Sequence, residues 1–215
     1  MDLRGSSPIV LGLPRGGVPV ADEVAKALDA PLDVWVVRKV GAPIQPELGM
    51  GAVSEGGELY LDDWIVAETG TSTAEVQEIV DAQLREVEDR VQRFRRGGPP
   101  PDVTDRVVIL VDDGIATGGT ARAALRALRR RRPKKLVLAV PVAAADTVEA
   151  LQSEADLVVC PQPEPYFRAV GLWYVDFAQV DDQDVIDILD AARARSSPRR
   201  SRPSHEPSHE PRATG

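Results

Sequence analysis

The stretch from Arg106 to Thr120, RVVILVDDGIATGGT, constrains this chain more than any other. Val107 to Val111 is an unbroken apolar run, mostly β-branched, with the length of a strand buried on both faces. Asp112 and Asp113 follow at once. Then come the loop Ala116, Thr117, Gly118, Gly119, Thr120 and the segment ARAALRAL, a strong helix former. The order predicted is strand, acidic pair, Gly/Thr loop, helix start.

A helix N-terminus leaves its first N–H groups unpaired and carries partial positive charge. The two glycines let the backbone approach a bound group closely, and Thr117 and Thr120 add hydroxyl donors, so the loop suits a phosphate monoester. Asp112 and Asp113 repel phosphate but accept hydrogen bonds from hydroxyls. A ribose phosphate, with its phosphate next to a vicinal diol, fits both halves. The plain alternative is an ordinary strand–turn–helix with a polar turn. A Walker loop is disfavoured because no Gly-Lys-Ser/Thr follows the glycines. A dinucleotide fingerprint is disfavoured because GLPRGG, from Gly12 to Gly17, lacks the G-x-G-x-x-G spacing.

Upstream, Pro8 to Leu13 reads as a buried strand, Leu13 to Gly17 as a tight loop, and Val18 to Leu28 as a helix with Val20, Val24 and Leu28 on one face. Leu32 to Val37 (LDVWVV) reads as a second buried strand ending at Arg38 and Lys39. A basic pair there marks either an anion site at the carboxyl edge of a parallel sheet or a solvated strand end. Val40 to Met50 reads as loop, and Ala52 to Leu61 as a hairpin about Gly56 and Gly57. Ser72-x-x-Glu75 is a capping box opening a helix from Thr73 to about Arg96. Its apolar stripe (Val76, Ile79, Val80, Leu84, Val87, Val91, Phe94) is core-facing or, alternatively, the seam of a homodimer.

Downstream, the run from Arg129 to Lys135 either touches nucleic acid or offsets the dipole at a helix C-terminus. Leu136 to Val142 and Leu157 to Cys160 read as strands, and Ala145 to Glu154 and Asp184 to Ala194 as helices. Between Pro161 and Phe177 the aromatic residues Tyr166, Phe167, Trp173, Tyr174 and Phe177 concentrate, in a chain only 4% aromatic. They stack on a planar ligand or cover the end of the sheet. Ser196 to Gly215 repeats Pro-Ser-His-Glu and reads as a disordered tail. It holds the only histidines, His205 and His209, which argues against a histidine base or metal site. The alternation gives a parallel α/β sheet of five main strands in one domain.

A net charge of −8 gives no general attraction to nucleic acid or anionic membranes. Cys160 stands alone, so an internal disulfide is impossible and a reducing, cytoplasmic setting is expected. No apolar run approaches the ~20 residues of a membrane span, and MDLRGSSPIV lacks an apolar segment of signal-peptide length.

VILVDDGIATGGT resembles the phosphoribosyl pyrophosphate (PRPP) signature of type I phosphoribosyltransferases, and GLPRGGVPVA, VVRK-GAP and VGLWY-DF extend the likeness over nearly the whole ordered chain. The resemblance implies a type I phosphoribosyltransferase-like α/β fold over residues 1–195, with a parallel five-stranded sheet flanked by helices, a small hairpin or flexible loop, and a C-terminal hood, followed by the tail at 196–215. It implies that Asp112 and Asp113, the catalytic positions, hold the ribose diol. Ala116, Thr117, Gly118, Gly119 and Thr120 would hold the 5′-phosphate. Arg15, Gly16 and Gly17 would hold pyrophosphate with Arg38 and Lys39. The region Gly41 to Leu61 would be the mobile loop that closes over PRPP. Tyr166, Phe167 and Trp173 would receive the base.

The implied reaction transfers the phosphoribosyl group of PRPP to a nitrogen heterocycle, usually a nucleobase, with Mg²⁺ held mainly by PRPP and water. The alternative is a PRPP-binding regulatory protein without turnover. Two departures stand out. Ala116 occupies the place where hypoxanthine–guanine enzymes carry an acid, and ATGGT is closer to the adenine enzymes. The helix that relatives place before the first strand is also missing, which reads as a truncated or misassigned start.

Overall fold

The apolar runs and helix-forming segments assemble into three layers in the computed structural model, which describes residues 6–46 and 48–196. Ile9–Gly12 (β1), Leu32–Val34 (β2), Val107–Val111 (β6), Lys135–Ala139 (β7) and Leu157–Val159 (β9) form one parallel sheet in the order β2-β1-β6-β7-β9. Side chains on successive strand residues point to opposite faces. Accordingly Val10, Ile109, Val111 and Val137 enter one core, and Ile9, Leu11, Val108, Leu110, Leu136 and Leu138 enter the other. Gly17–Leu28 (α1), Thr73–Arg95 (α3) and Asp182–Ser196 (α6) supply the first core. Gly119–Arg130 (α4) and Ala145–Leu151 (α5) supply the second.

The long helix α3 begins at the expected capping box. The Glu75 N–H donates to Ser72 Oγ (3.3 Å) and the Ser72 N–H donates to Glu75 Oε2 (2.9 Å). It ends at Arg96, in a left-handed conformation, and Gly97. Val76, Val80, Val87 and Phe94 of its stripe are buried in the first core, so the stripe faces inward.

Two apolar runs divide where single strands were expected. LDVWVV leaves the parallel sheet after Val34. Trp35 drops into the second core, and Val37–Gly41 (β3) starts a separate antiparallel sheet with Gly49–Ser54 (β4) and Glu58–Leu61 (β5). The Val40–Met50 segment is therefore strand at both ends, and Arg38 and Lys39 lie inside β3 rather than closing a parallel strand. The β4–β5 turn at Gly56 and Gly57 has φ of 80° and 76°, as a tight hairpin requires. Leu136 to Val142 likewise ends in the main sheet at Ala139. After Pro141, Val142–Ala144 (β8) pairs with Gln162–Glu164 (β10). The helix expected to Glu154 stops at Leu151, and a short helix at Asp63–Glu68 (α2), capped by Asp62, was not anticipated.

The small sheet sits between α3 and α4. Arg95 at the end of α3 pins it. Its guanidinium donates to Glu55 (2.6 and 2.9 Å) and to the Val34 carbonyl (2.7 Å) in a buried setting, and to the part-buried Asp33 (3.0 Å). The tail beyond Ser196, with His205 and His209, lies outside the described residues.

Candidate active site

Between β1 and β6 the order of the parallel strands reverses, since the chain moves from β1 out to β2 and later returns to the other side of β1. Open α/β sheets place ligands at such a switch point, beyond the carboxyl ends of the strands. Here the two strand ends carry the Leu13–Gly17 loop and the Asp112–Asp113 pair. The Leu13 N–H donates to the Val111 carbonyl (2.9 Å) and ties them together.

Gly16 and Gly17 make this junction possible. A Cβ on Gly16 would lie 2.0 Å from Asp113 Oδ2, and one on Gly17 would lie 2.7 Å from the Val111 carbonyl oxygen. The loop therefore rests directly on the acids. Burial, then the Asp113 carboxylate, holds the Asp112 carboxyl well above the usual carboxylate range, and burial raises Asp113 as well. The Asp113 N–H donates to Asp112 Oδ1 (3.0 Å).

Next to the acids, Gly118 caps α4 with φ of 75° and brings no side-chain cap, so the first-turn N–H groups remain directed at the loop. Ala116, Thr117, Gly119 and Thr120 are exposed. Two contacts fix the loop from behind. Ile115 bridges to Ala143 of β8, and the Thr147 hydroxyl of α5 donates to the Ala116 carbonyl (2.7 Å). Val170, in a 3₁₀ turn at Val170–Trp173, closes over Gly114 and lines the loop's cavity with Thr117 and Thr120.

The segment after β10 latches onto this centre. The Tyr174 hydroxyl donates to the Asp113 carbonyl (2.6 Å), and the Tyr174 and Phe177 rings lie 5.3 Å apart at 46°. Burial, then Asp113 and Asp112, pushes the Tyr174 phenol up to about 12. Tyr174 and Phe177 share a cavity with Arg15, Gly16, Asp113 and Asp176. Tyr166, by contrast, is 90% exposed and Trp173 is 42% exposed. Neither they nor Phe167 line that cavity. Tyr174 was legible only as one of a group of aromatics; the signal that singles it out is its ring with a polar tip, which a half-buried position requires to find a partner.

The basic residues divide. Neighbours in a strand face opposite ways, and Arg38 turns toward α3, donating to Gln83 Oε1 (3.2 Å) and pairing with Glu86 (3.5 Å). Lys39 lines a cleft with Thr117, Gly119 and Arg122 on the α4 side, and shares a second cavity with Arg38, Pro46 and Gln83. Arg15 lies 3.9 Å from Asp182 at the start of α6. The Arg129–Lys135 cluster is partly neutralised inside the molecule: Arg129 pairs with Asp156 (3.0 Å) and Arg130 with Glu58 (2.8 Å). Among the described residues no helix is long and apolar enough to cross a membrane.

Residues 1–176 match the family model described as a phosphoribosyl transferase domain. A Mycobacterium tuberculosis protein named provisionally as a phosphoribosyl transferase is 48% identical over 190 residues, 88% of this chain. This chain spans 43% of that relative's length. The bifunctional protein PyrR of Clostridium acetobutylicum is 31% identical over 190 residues, 87% of this chain and 84% of that protein. The crystal structure of TT1426 from Thermus thermophilus superposes with a TM-score of 0.76 at 45% identity, covering 85% of this chain and 86% of the other.

Proposed function

Because the chain belongs to the phosphoribosyltransferase family, we propose that it is a magnesium-dependent transferase. On this reading it moves the phosphoribosyl group of PRPP to a nitrogen heterocycle, of which a nucleobase is the favoured class, and releases pyrophosphate. The observation that carries this reading is the meeting of the Asp112–Asp113 pair with the open N-terminus of α4 at the switch point of the sheet. One part accepts from hydroxyls and the other donates to phosphate oxygens, and a ribose 5-phosphate presents both groups.

Each group then has a task. The loop from Ala116 to Thr120 binds the 5′-phosphate through backbone N–H groups and the Thr117 and Thr120 hydroxyls. Asp112 and Asp113 accept from the ribose 2′- and 3′-hydroxyls, which replaces the water the carboxylates lost on burial. As the bond to pyrophosphate lengthens, positive charge develops on the ribose, and the acidic pair lies on that side. Arg15 meets the departing anion. Tyr174 and Phe177 hold the acceptor ring over the sugar and exclude water. Among the described residues no group of three or more His, Cys, Asp or Glu side chains could hold a metal ion. Magnesium, if bound through substrate oxygens and water, would supply charge neutralisation on the leaving pyrophosphate beside Arg15. Such chemistry belongs to cytoplasmic nucleotide metabolism.

The test is pyrophosphate release from Mg·PRPP with pooled purines, pyrimidines and related heterocycles against a no-base control. Base-dependent release is expected, and dividing the pool names the acceptor. PRPP binding without release would instead indicate a PRPP-binding regulator, and no binding at all would refute the site.

A further inference from the structure

Four residues of α3, Gln83, Glu86, Arg90 and Arg93, recur at spacings of three, four and three and so share one face of the helix. Three of them are engaged. Gln83 and Glu86 hold Arg38 (3.2 and 3.5 Å), and Arg93 pairs with Asp182, which also faces Arg15 at 3.9 Å. Arg90 stands between these two attachments. Among the described residues it makes neither a hydrogen bond nor an ion pair, although it is half-buried. Burial, then the charge of Arg38, makes its cationic state more costly than usual, although Asp182 and Glu86 act in the opposite sense. Arg38 pairs with Glu86 and Arg93 with Asp182, Arg15 lies 3.9 Å from Asp182 and shares a cavity with Asp113 and Asp176, and of these four arginines Arg90 is the one without an ion pair among the described residues.

We propose that Arg90 is a binding residue for the pyrophosphate end of the substrate, completing an anion seat with Arg15 and Arg38. This rests on the transferase reading above and assigns a residue to one part of that site. A half-buried guanidinium without an ion pair is unfavourable unless an anion joins it, and a polyanion can engage Arg90 together with the loosely paired Arg15 and Arg38. Pyrophosphate meets that requirement, and ribose 5-phosphate, whose phosphate belongs to the Ala116–Thr120 loop, does not. The ion pairs of Arg38 with Glu86 and of Arg15 with Asp182 are long, at 3.5 and 3.9 Å, so both guanidiniums can turn toward a stronger anion.

Calorimetric titration of the full chain, its Arg90→Gln variant and its Arg90→Lys variant with magnesium pyrophosphate and, separately, ribose 5-phosphate tests this. Arg90→Gln is expected to weaken pyrophosphate about tenfold or more, with ribose 5-phosphate affinity unchanged, and Arg90→Lys to recover part of the loss. Unchanged ribose 5-phosphate binding also certifies that the variants are folded. Pyrophosphate affinity within about twofold of the native value in Arg90→Gln overturns the proposal alone. An equal loss of both ligands overturns it too, by making Arg90 a structural residue. If the native chain binds neither ligand, the transferase reading falls and this proposal with it.

Discussion

At Asp112 a half-buried carboxyl stands beside a second one, and its pKa in the folded chain lies above that of the unfolded chain. A group shifted this way favours folding in its protonated form. Its contribution is present below the ordinary carboxylate range and is lost as pH rises through the raised value. Asp112→Asn removes the burden, so its unfolding temperature at neutral pH is expected to rise by about 2–4 °C in scanning calorimetry. On the transferase reading the same substitution removes an acceptor for the ribose diol, and PRPP affinity should drop about tenfold. For the native protein, PRPP affinity should decline on acidification at a higher pH than an ordinary aspartate would give, since only the ionised pair accepts both hydroxyls. Gly16→Ala sets a Cβ 2.0 Å from Asp113 Oδ2. Because the acid must move, PRPP titration should show binding reduced by about tenfold or more. A fold-stability change alone, with affinity retained, would contradict the contact. Tyr174→Phe keeps the ring and removes the bond to the Asp113 carbonyl. It should raise KM for the acceptor more than KM for PRPP in steady-state assays.

The small antiparallel sheet depends on one side chain from another element. Arg95 is 2% exposed and joins α3 to Glu55 in the β4–β5 turn and to Asp33 in β2. Arg95→Ala leaves Glu55 buried without its partner, which costs about 3–5 kcal/mol and should appear as a lowered urea midpoint. An unchanged midpoint would mean that the sheet is held by apolar packing alone. Elements of this kind limit what the sequence conveys. The capping box of α3, the Gly56–Gly57 hairpin and the strand–acid–loop–helix order of Val107 to Arg130 were readable because each depends on neighbours in the chain. The division of LDVWVV at Val34 was not. Its residues are apolar on both sides of the break, and what divides them is the pairing of Val37 with Ser54 and of Val34 with Gly12. Pro141 did carry a local signal for the end of β7, since a proline donates no hydrogen bond to a ladder. Arg38 and Lys39 lie inside β3 rather than at the end of a parallel strand, because the break after Val34 depends on pairing that LDVWVV does not reveal.

Across the whole molecule, the parallel sheet brings two loops nearly a hundred residues apart in sequence to one edge, and the proposed phosphate, diol and pyrophosphate sites rest on that topology. The carboxyl edge of the sheet was legible as the ligand edge, whereas the strand order that puts the switch point between β1 and β6 was not. The Tyr174 latch and the place of Arg90 were not, since each depends on tertiary contacts. The chain's charge of −8 and the internal ion pairs of Arg129 and Arg130 predict no retention of RNA or duplex DNA in filter binding at low salt. Retention that declines steeply with salt would reverse that expectation. The most direct test of the account is pyrophosphate release from Mg·PRPP, measured side by side for the native chain and Asp113→Asn in a pool of heterocycles. Base-dependent release by the native chain is expected, with its loss, or a reduction of about a hundredfold, in the variant. Release that ignores the base, or that Asp113→Asn leaves unchanged, would contradict it.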